Sequence, residues 1–553
     1  MIKNPILPGF NPDPSIIRAG DDFYLVTSTF EWMPGIPLYH SRDLVHWQHV
    51  DNLLKGKRQI DMTGERPSRG VWAPALSYDE KTGRFYLVYS NVHNQTKSFF
   101  DVDNFLIWTE DILGGEEAWS DPIYLNSSGF DPSLFIDDDG SFWIVNKDRD
   151  FRPENIDKRA IVVQRYDWQN NELSGNPVVI SRGVTARRFV EGAHIYKKDG
   201  FYYLVAAEGG TGYGHAVTVA RSREITGPYE ASPYGVVLTS QPEDFIATEK
   251  TSFMMPEQYN PAAGLQKSGH GSLVSTSGGE WYMAHLCGRP VMPQLRCVLG
   301  RETSIQKMMW TDDGWLRMAD GSNLAKLEVE APNLPLHPFP KENPICDFDS
   351  EKLPLYWCTP RNEITPDWAD LSTRKGFLRL RGRESLSSYY RVSLLARRLT
   401  SMQAEAETKL EYTPTHYHHL AGITCFYDAE SHFALYKTYD EVNNQEILAA
   451  YMFEHNMMEV IGKPIPLKKN QPIWLRMKVE GDKLYLMYSE DGKEFLQFGQ
   501  PQDVTILSDE HSKCGWFTGA FMGVFAQDTH TQSKWAEFDW FRYEAKSDVL
   551  VKG

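Results

Sequence analysis

Gly129-Phe130-Asp131-Pro132-Ser133-Leu134-Phe135, followed across Asp139-Gly140 by Phe142-Trp143-Ile144-Val145, is one copy of a pattern that recurs along the first part of the chain. A short apolar strand opens it, an Asp- or Gly-bearing turn follows, and an aromatic-led strand closes it, which is the chemistry of a β-hairpin. The aromatic strands are Phe23-Tyr24-Leu25-Val26, Phe85-Tyr86-Leu87-Val88, Phe142-Trp143-Ile144-Val145, Tyr202-Tyr203-Leu204-Val205 and Trp281-Tyr282-Met283-Ala284. Their openings are Asp13-Pro14-Ser15-Ile16, Ala73-Pro74-Ala75-Leu76, Asp131-Pro132-Ser133-Leu134, Glu191-Gly192-Ala193-His194 and His270-Gly271-Ser272-Leu273. The repeat is roughly sixty residues, longer at its last step, and repeats of this kind read as blades set radially around a central channel. The expected fold class is therefore all-β, beginning with a five-bladed β-propeller over residues 1–326.

If each opening starts the innermost strand of its blade, Asp13, Ala73, Asp131, Glu191 and His270 occupy equivalent places around one end of the axis. Asp-Pro-Ser also makes ordinary tight turns. Three carboxylates and a histidine at five equivalent places are nonetheless more than turn chemistry requires. Carboxylates brought from different blades to one channel mouth suit hydrolysis of a glycosidic bond, where one acid protonates the leaving oxygen and a carboxylate activates water. Wide separation suits inversion, because water must fit between base and sugar. A third carboxylate near the acid would help keep it protonated near neutral pH.

Bulk properties agree. A length of 553 residues with 41% hydrophobic content implies at least two domains. A net charge of −17 argues against a nucleic-acid partner. The 13% aromatic content, with 16 Trp and 27 Tyr, suits stacking on sugar rings as well as filling β-sheet cores. Cys287, Cys297, Cys346, Cys358, Cys425 and Cys514 fall at no metal-binding or redox spacing and read as free thiols. No stretch is long and apolar enough for a signal peptide core or a membrane helix, so a cytoplasmic protein is expected, with neither membrane nor nucleic acid as partner. Gly210-Thr211-Gly212-Tyr213-Gly214 resembles a nucleotide-binding loop, but no βαβ unit follows it, and the glycines are expected to shape a loop at the channel rim.

The chain resembles glycoside hydrolase family 43. The motifs that carry the resemblance are Asn11-Pro12-Asp13-Pro14-Ser15, Ser28-Thr29-Phe30-Glu31-Trp32, Ser41-Arg42-Asp43-Leu44-Val45-His46-Trp47 and Val71-Trp72-Ala73-Pro74. They continue in order through Gly129 to Phe135, Glu191-Gly192, Ala207-Glu208-Gly209-Gly210-Thr211, Gly269-His270-Gly271-Ser272 and Gly288-Arg289-Pro290. The two-domain β-xylosidases and α-L-arabinofuranosidases of that family are the most similar. The resemblance implies an inverting exo-acting enzyme on xylo- or arabinoxylo-oligosaccharides, with Asp13 as general base, Glu191 as general acid and Asp131 tuning the acid and orienting the sugar. It implies a calcium ion in the channel with His270 as its close protein ligand and water filling the rest. Arg289 and Trp72 match sugar-binding positions, Phe30 and Trp32 are further candidates, and a homo-oligomer is a partner that relatives suggest. Ala193 stands where the family commonly has Pro, Met33 where an aromatic is frequent, and Ser240 to Tyr259 looks like an insertion, so the sugar specificity stays open between xylose and arabinose. A non-catalytic carbohydrate binder, an interaction scaffold and a retaining fructosidase are the rivals. The full set of carboxylates, and the absence of a Glu-Cys pair and an Arg-Asp-Pro motif at the matching positions, argue against them.

Pro332, Pro335, Pro338, Pro340 and Pro344 mark residues 327–344 as a linker. From 345 to 553, alternating strands such as Leu475-Arg476-Met477-Lys478-Val479 predict an antiparallel β-sandwich. Relatives imply that it is concanavalin-like and sends a loop to the pocket, where Trp516-Phe517-Thr518 places Phe517 as a closing residue.

Overall fold

A computed structural model describes residues 1–95, 99–152, 154–155, 159–248 and 254–546. The described residues are strand and loop apart from short 3-10 turns such as Glu116–Ala118, Pro256–Gln258 and Val504–Ile506. Of the expected insertion Ser240 to Tyr259, residues 249–253 lie outside the described residues. No described helix is long and apolar enough to cross a membrane.

Five antiparallel sheets follow one another along the first part of the chain, each with strands in sequence order. Their first strands are Ser15–Ala19, Gly70–Asp79, Gly129–Ile136, Glu191–Lys198 and Gln266–Ser275. The aromatic-led runs form the second strands, and the fourth sheet carries a fifth short strand, Leu238–Thr239. The hairpin turns need left-handed backbone, and Gly20, Gly83, Gly140, Gly200 and Gly279 supply it with φ of 64°, 73°, 84°, 73° and 81°.

Hydrogen bonds close the five sheets into a cycle. Ile16 N donates to Ser272 Oγ (3.1 Å), Leu76 N to Ser15 Oγ (3.0 Å), Ser77 Oγ to Leu134 O (2.6 Å), Ser133 Oγ to Ala193 O (2.6 Å) and Leu273 N to Tyr196 Oη (2.8 Å). Serines of the recurring openings make three of these links, including the fifth sheet to the first, and Ser77 and Tyr196 make the other two. The chain start is laced to the end of this region, with Ile2 and Lys3 paired to Val329 and Glu328. The expected linker 327–344 thus begins with a paired strand.

One expectation is corrected by the register. The first two strands lose register between Trp72 and Ala75, Phe130 and Ser133, Glu191 and His194, and Gly269 and Ser272. Within these bulges Ala73, Asp131, Gly192 and His270 have φ of 38°, 53°, 56° and 52°, and Asp13, just before its strand, has 54°. Gly192, not Glu191, is the structural equivalent of Asp13 and Asp131. Glu191 stands one residue earlier, at the position of Trp72 and Phe130.

Beyond residue 345 a nine-stranded and a six-stranded sheet share one core. Leu380, Ala406, Leu475, Leu486 and Phe538 of one meet Leu395, Ile423, Phe433, Leu448 and Val524 of the other. Each of the buried Leu, Ile, Val and Phe side chains contributes about 1.5–3 kcal/mol. The strand pair Trp32–Met33 with Thr359–Pro360 joins this unit to the first sheet region. Trp32 is fully buried and stacks on Phe521 at 3.6 Å and 14°. It packs the seam between the two regions and offers no face to a sugar, which corrects its expected place in the pocket.

Candidate active site

The bulged starts of the five sheets bring Asp13, Asp131, Glu191 and His270 to one end of the cycle. Asp13 Oδ2 accepts from Ser28 Oγ at 2.7 Å, and Ser28 Oγ in turn accepts from Ala73 N at 2.7 Å. Asp13 Oδ1 accepts from Arg301 Nη1 at 3.1 Å and lies 3.7 Å from His270 Nδ1. Burial opposes the charge on Asp13, but Arg301, His270 and Ser28 outweigh it and hold its carboxyl below the usual range.

Asp131 Oδ2 accepts from Gly192 N at 3.0 Å, beside the Glu191 backbone. Burial, then the charges of Glu191 and Asp13, push Asp131 well above the ordinary range. Glu191 is also raised, by burial first and against the pull of Lys147. Lys147 Nζ spends a hydrogen bond of 2.5 Å on Val190 O, next to Glu191 in the chain. A carboxyl held below the usual range beside two pushed above it suits one site to base and acid work.

Aromatic rings wall this end. Phe30 stacks on Phe517 at 5.5 Å, and Trp72 meets Phe517, Phe130 and Phe100 edge-on at 5.1, 5.7 and 5.6 Å. Trp72 Nε1 donates to Ser68 O (3.2 Å) and Phe517 N to Ser68 Oγ (3.2 Å), so one serine sets two walls. Arg301 lies over Phe30 and Phe517, and Arg149 over Phe100. Asp13, Asp131, His270, Trp72 and Phe517 keep only 6%, 7%, 7%, 7% and 9% of their surface exposed, so the opening is narrow.

Arg289 is held by Glu302. Its Nε and Nη2 bind Glu302 Oε2 and Oε1 at 2.6 and 2.8 Å, and it is Arg301, two residues after the start of Leu299-Gly300-Arg301, that reaches Asp13. Arg301 Nη1 also meets Thr211 Oγ1 at 2.9 Å, which gives the glycine loop a place at the site. Arg301, Lys147, Arg149, Phe130, Ser28 and Ser68 were not read from the sequence. Phe130 adjoins Asp131 in the recurring motif, and that adjacency was the available signal.

His270 lies against Gly192, where a Cβ would come within 2.8 Å of its ring. Burial keeps His270, His215 and His194 below the ordinary imidazole range, the last two at about 3, so all three are neutral donors of a lone pair. His215 Nε2 is buried with no protein partner. One neutral imidazole and an unsatisfied polar atom fit a cation whose remaining shell is water.

An all-β framework that gathers acid and base carboxylates under an aromatic wall has the layout of a glycoside hydrolase. The chain belongs to glycosyl hydrolases family 43, whose model matches residues 2–316. A second model, the beta xylosidase C-terminal concanavalin A-like domain, matches residues 346–544. The chain is 41% identical to Xylosidase/arabinosidase 43B of Humicola insolens over 98% of this chain and 97% of that one. It is 39% identical to a beta-xylosidase of Bacillus subtilis (strain 168) over 99% and 100%. A crystal structure of xylan beta-1,4-xylosidase from Bacillus halodurans C-125 superposes with a TM-score of 0.92 at 46% identity, covering 99% of this chain and 100% of that one.

Proposed function

We propose that this enzyme is an inverting, exo-acting hydrolase that releases terminal xylose, and arabinofuranose as a second sugar, from xylo- or arabinoxylo-oligosaccharides. The observation that carries the reading is the convergence of three buried carboxyls at one end of the cycle, Asp13 bound by Ser28 and Arg301 and Asp131 by the N–H of Gly192 beside Glu191, with Asp13 held below the usual range and the other two above it. Asp13 serves as the base that activates water, Glu191 as the acid that protonates the leaving oxygen, and Asp131 as the group that keeps Glu191 protonated. The narrow, aromatic-walled opening admits one sugar ring at a chain end. The names of the relatives supply the xylose and the arabinose.

The same proposal reads the five cyclically linked sheets as propeller blades, with domains at 1–326 and 345–553 and the stretch 327–344 between them. His270 would hold calcium through one ring nitrogen, with water as the other ligands, and the bound ion would add positive charge beside Asp13. Six cysteines without a disulfide agree with a cytoplasmic location. NMR of the first sugar released from an aryl β-D-xylopyranoside tests the mechanism. The α-anomer is expected, and a first-formed β-anomer would overturn inversion. Parallel kinetics on the xylopyranoside and an aryl α-L-arabinofuranoside rank the two sugars. A higher kcat/KM on the arabinoside would make arabinofuranose the main product.

A further inference from the structure

Far from the carboxylate end, neighbouring strands of the six-stranded sheet place four histidines together. The pairing of His419 with Asp528 sets the start of strand His419–Asp428 beside the end of strand Phe521–Asp528. The loop that precedes the first strand carries His416 and His418, and the turn that follows the second carries His530. One ligand atom from each of these three lies within 4.8 Å of the other two. The rings of His416 and His530 stack at 4.2 Å and 6°, and His416 and His418 are 5.0 Å apart.

Two further observations point to a ligand. His418 Nδ1 is buried and has no hydrogen-bond partner, which is costly for a polar atom unless something binds it. One carboxylate stands behind a ligand ring, Glu441 Oε1 at 3.8 Å from His416 Nε2, and His416 Nδ1 accepts from His418 N at 3.2 Å, an N–H that a metal would displace; Asp528 Oδ1 lies 3.6 Å from Nε2 of the neighbouring His419, which is not a ligand. A carboxylate on the far nitrogen of an imidazole is the arrangement that orients metal-binding histidines. Glu441 is fixed by the Tyr417 N–H at 2.9 Å, and Asp528 by the N–H groups of His530 and Thr531 at 2.9 and 2.8 Å.

We infer that His416, His418 and His530 form a site for a borderline transition-metal ion, zinc as the type case, that clips the loop before His419 to the turn after Asp528. Imidazole nitrogens select zinc, nickel or copper over calcium, which takes oxygen. Zinc bonds to imidazole are about 2.0–2.1 Å, so the three rings must draw inward. His530 is exposed at the turn and His416 and His418 are half-buried, which leaves them free to do so. The glycosidic site lies at the opposite end of strand Phe521–Asp528, on the Phe517 side. The clip therefore acts on stability and not on the chemistry.

The test is calorimetric titration of ZnCl2 into the full chain, free of any histidine tag and dialysed against a chelator, with thermal melts and Co2+ absorption alongside. The expected result is one equivalent bound at micromolar or tighter affinity, a Tm raised by several degrees, and a tetrahedral-type visible band with Co2+. His530→Ala, at an exposed position, and His416→Ala are each expected to weaken zinc at least tenfold while glycosidase activity in chelator stays at the wild-type level. Three results would overturn the site: no saturable zinc binding below millimolar, unchanged affinity in the His416→Ala/His530→Ala double variant, or loss of binding in His455→Ala/His511→Ala instead. The last pair belongs to a second cluster with Glu454.

Discussion

Two buried groups of charges lie one beneath the other, and they are wired in opposite ways. In the seam between the two regions, Lys267 Nζ sits 2.5 Å from Glu510 Oε1 and 3.4 Å from Asp509 Oδ2. Cys297 N and Tyr213 Oη complete Glu510 at 2.7 and 3.2 Å, and Tyr427 Oη completes Asp509 at 2.9 Å. Burial opposes the Lys267 charge, but the Cys297 sulfur and both carboxylates hold it protonated well above its ordinary range. At the carboxylate end, three residues along the same strand, the cations stand to the side. Of the three carboxylates Arg301 bonds to Asp13, and Lys147 gives its hydrogen bond to a backbone carbonyl. The seam sets one ammonium against two carboxylates, of which burial pushes Asp509 up to about 7, and so ties the two regions together. The carboxylate end leaves charge unmatched where a leaving oxygen and a water would arrive.

Removing the unmatched charges should cost chemistry and spare the fold. Asp13→Asn and Glu191→Gln are each expected to lower kcat on an aryl xyloside by about 10²–10⁴-fold, with the circular dichroism unchanged. Activity near the wild-type level in either would break the assignment of base and acid. Removing the matched cation should do the reverse. Lys267→Met leaves two buried carboxylates facing each other, and a loss of about 3–5 kcal/mol is expected in urea unfolding. Adding Asp509→Asn and Glu510→Gln should recover much of that loss, and a triple variant no better than Lys267→Met would show that the carboxylates were not the reason.

These differences set what could be read from the sequence. The β class, the strand pairs and the three carboxylates follow from a local period, so spacing alone exposes them. The one-residue offset of Glu191 does not, because a bulge changes backbone register without changing the length of the repeat. Trp32 was misplaced because the ring that buries it, Phe521, comes from the far end of the chain. Lys267 and Asp509 are 242 positions apart, and no pattern in either neighbourhood announces the pair. Nothing in the sequence around Arg289 or Arg301 says that the first pairs with Glu302 and the second with Asp13.

Asp131 offers a subtler break, through pH. Its raised value means that the folded chain keeps this proton to higher pH than the unfolded chain does. The stabilisation is complete below the ordinary value of 3.8 and is lost as pH rises through the folded value. Asp131→Asn should therefore melt higher than wild type at neutral pH, with the gap closing in acid, while kcat falls. The basic limb of its pH–rate profile should also move to lower pH, because two carboxyls in one buried site hold a proton to higher pH than Glu191 alone. A lower Tm at neutral pH would show that the carboxylate is structurally required.

The smallest effect is expected at the aromatic wall, where no charge is at stake. Ser68 N donates to Glu31 Oε2 at 3.0 Å, and the same serine receives Trp72 Nε1 on its carbonyl and Phe517 N on its hydroxyl. Gly515 leaves room for it, since a Cβ there would meet Ser68 Cβ at 2.4 Å. Ser68→Ala keeps the backbone contacts to Glu31 and Trp72 and deletes only the hydroxyl that holds Phe517. A neutral hydrogen bond is worth about 0.5–1.5 kcal/mol, so KM for an aryl xyloside should rise about two- to tenfold. Asp13, Asp131 and Glu191 are untouched, and kcat should hold. A fall in kcat with KM unchanged would mean that the wall acts on the reacting groups and does more than receive the sugar.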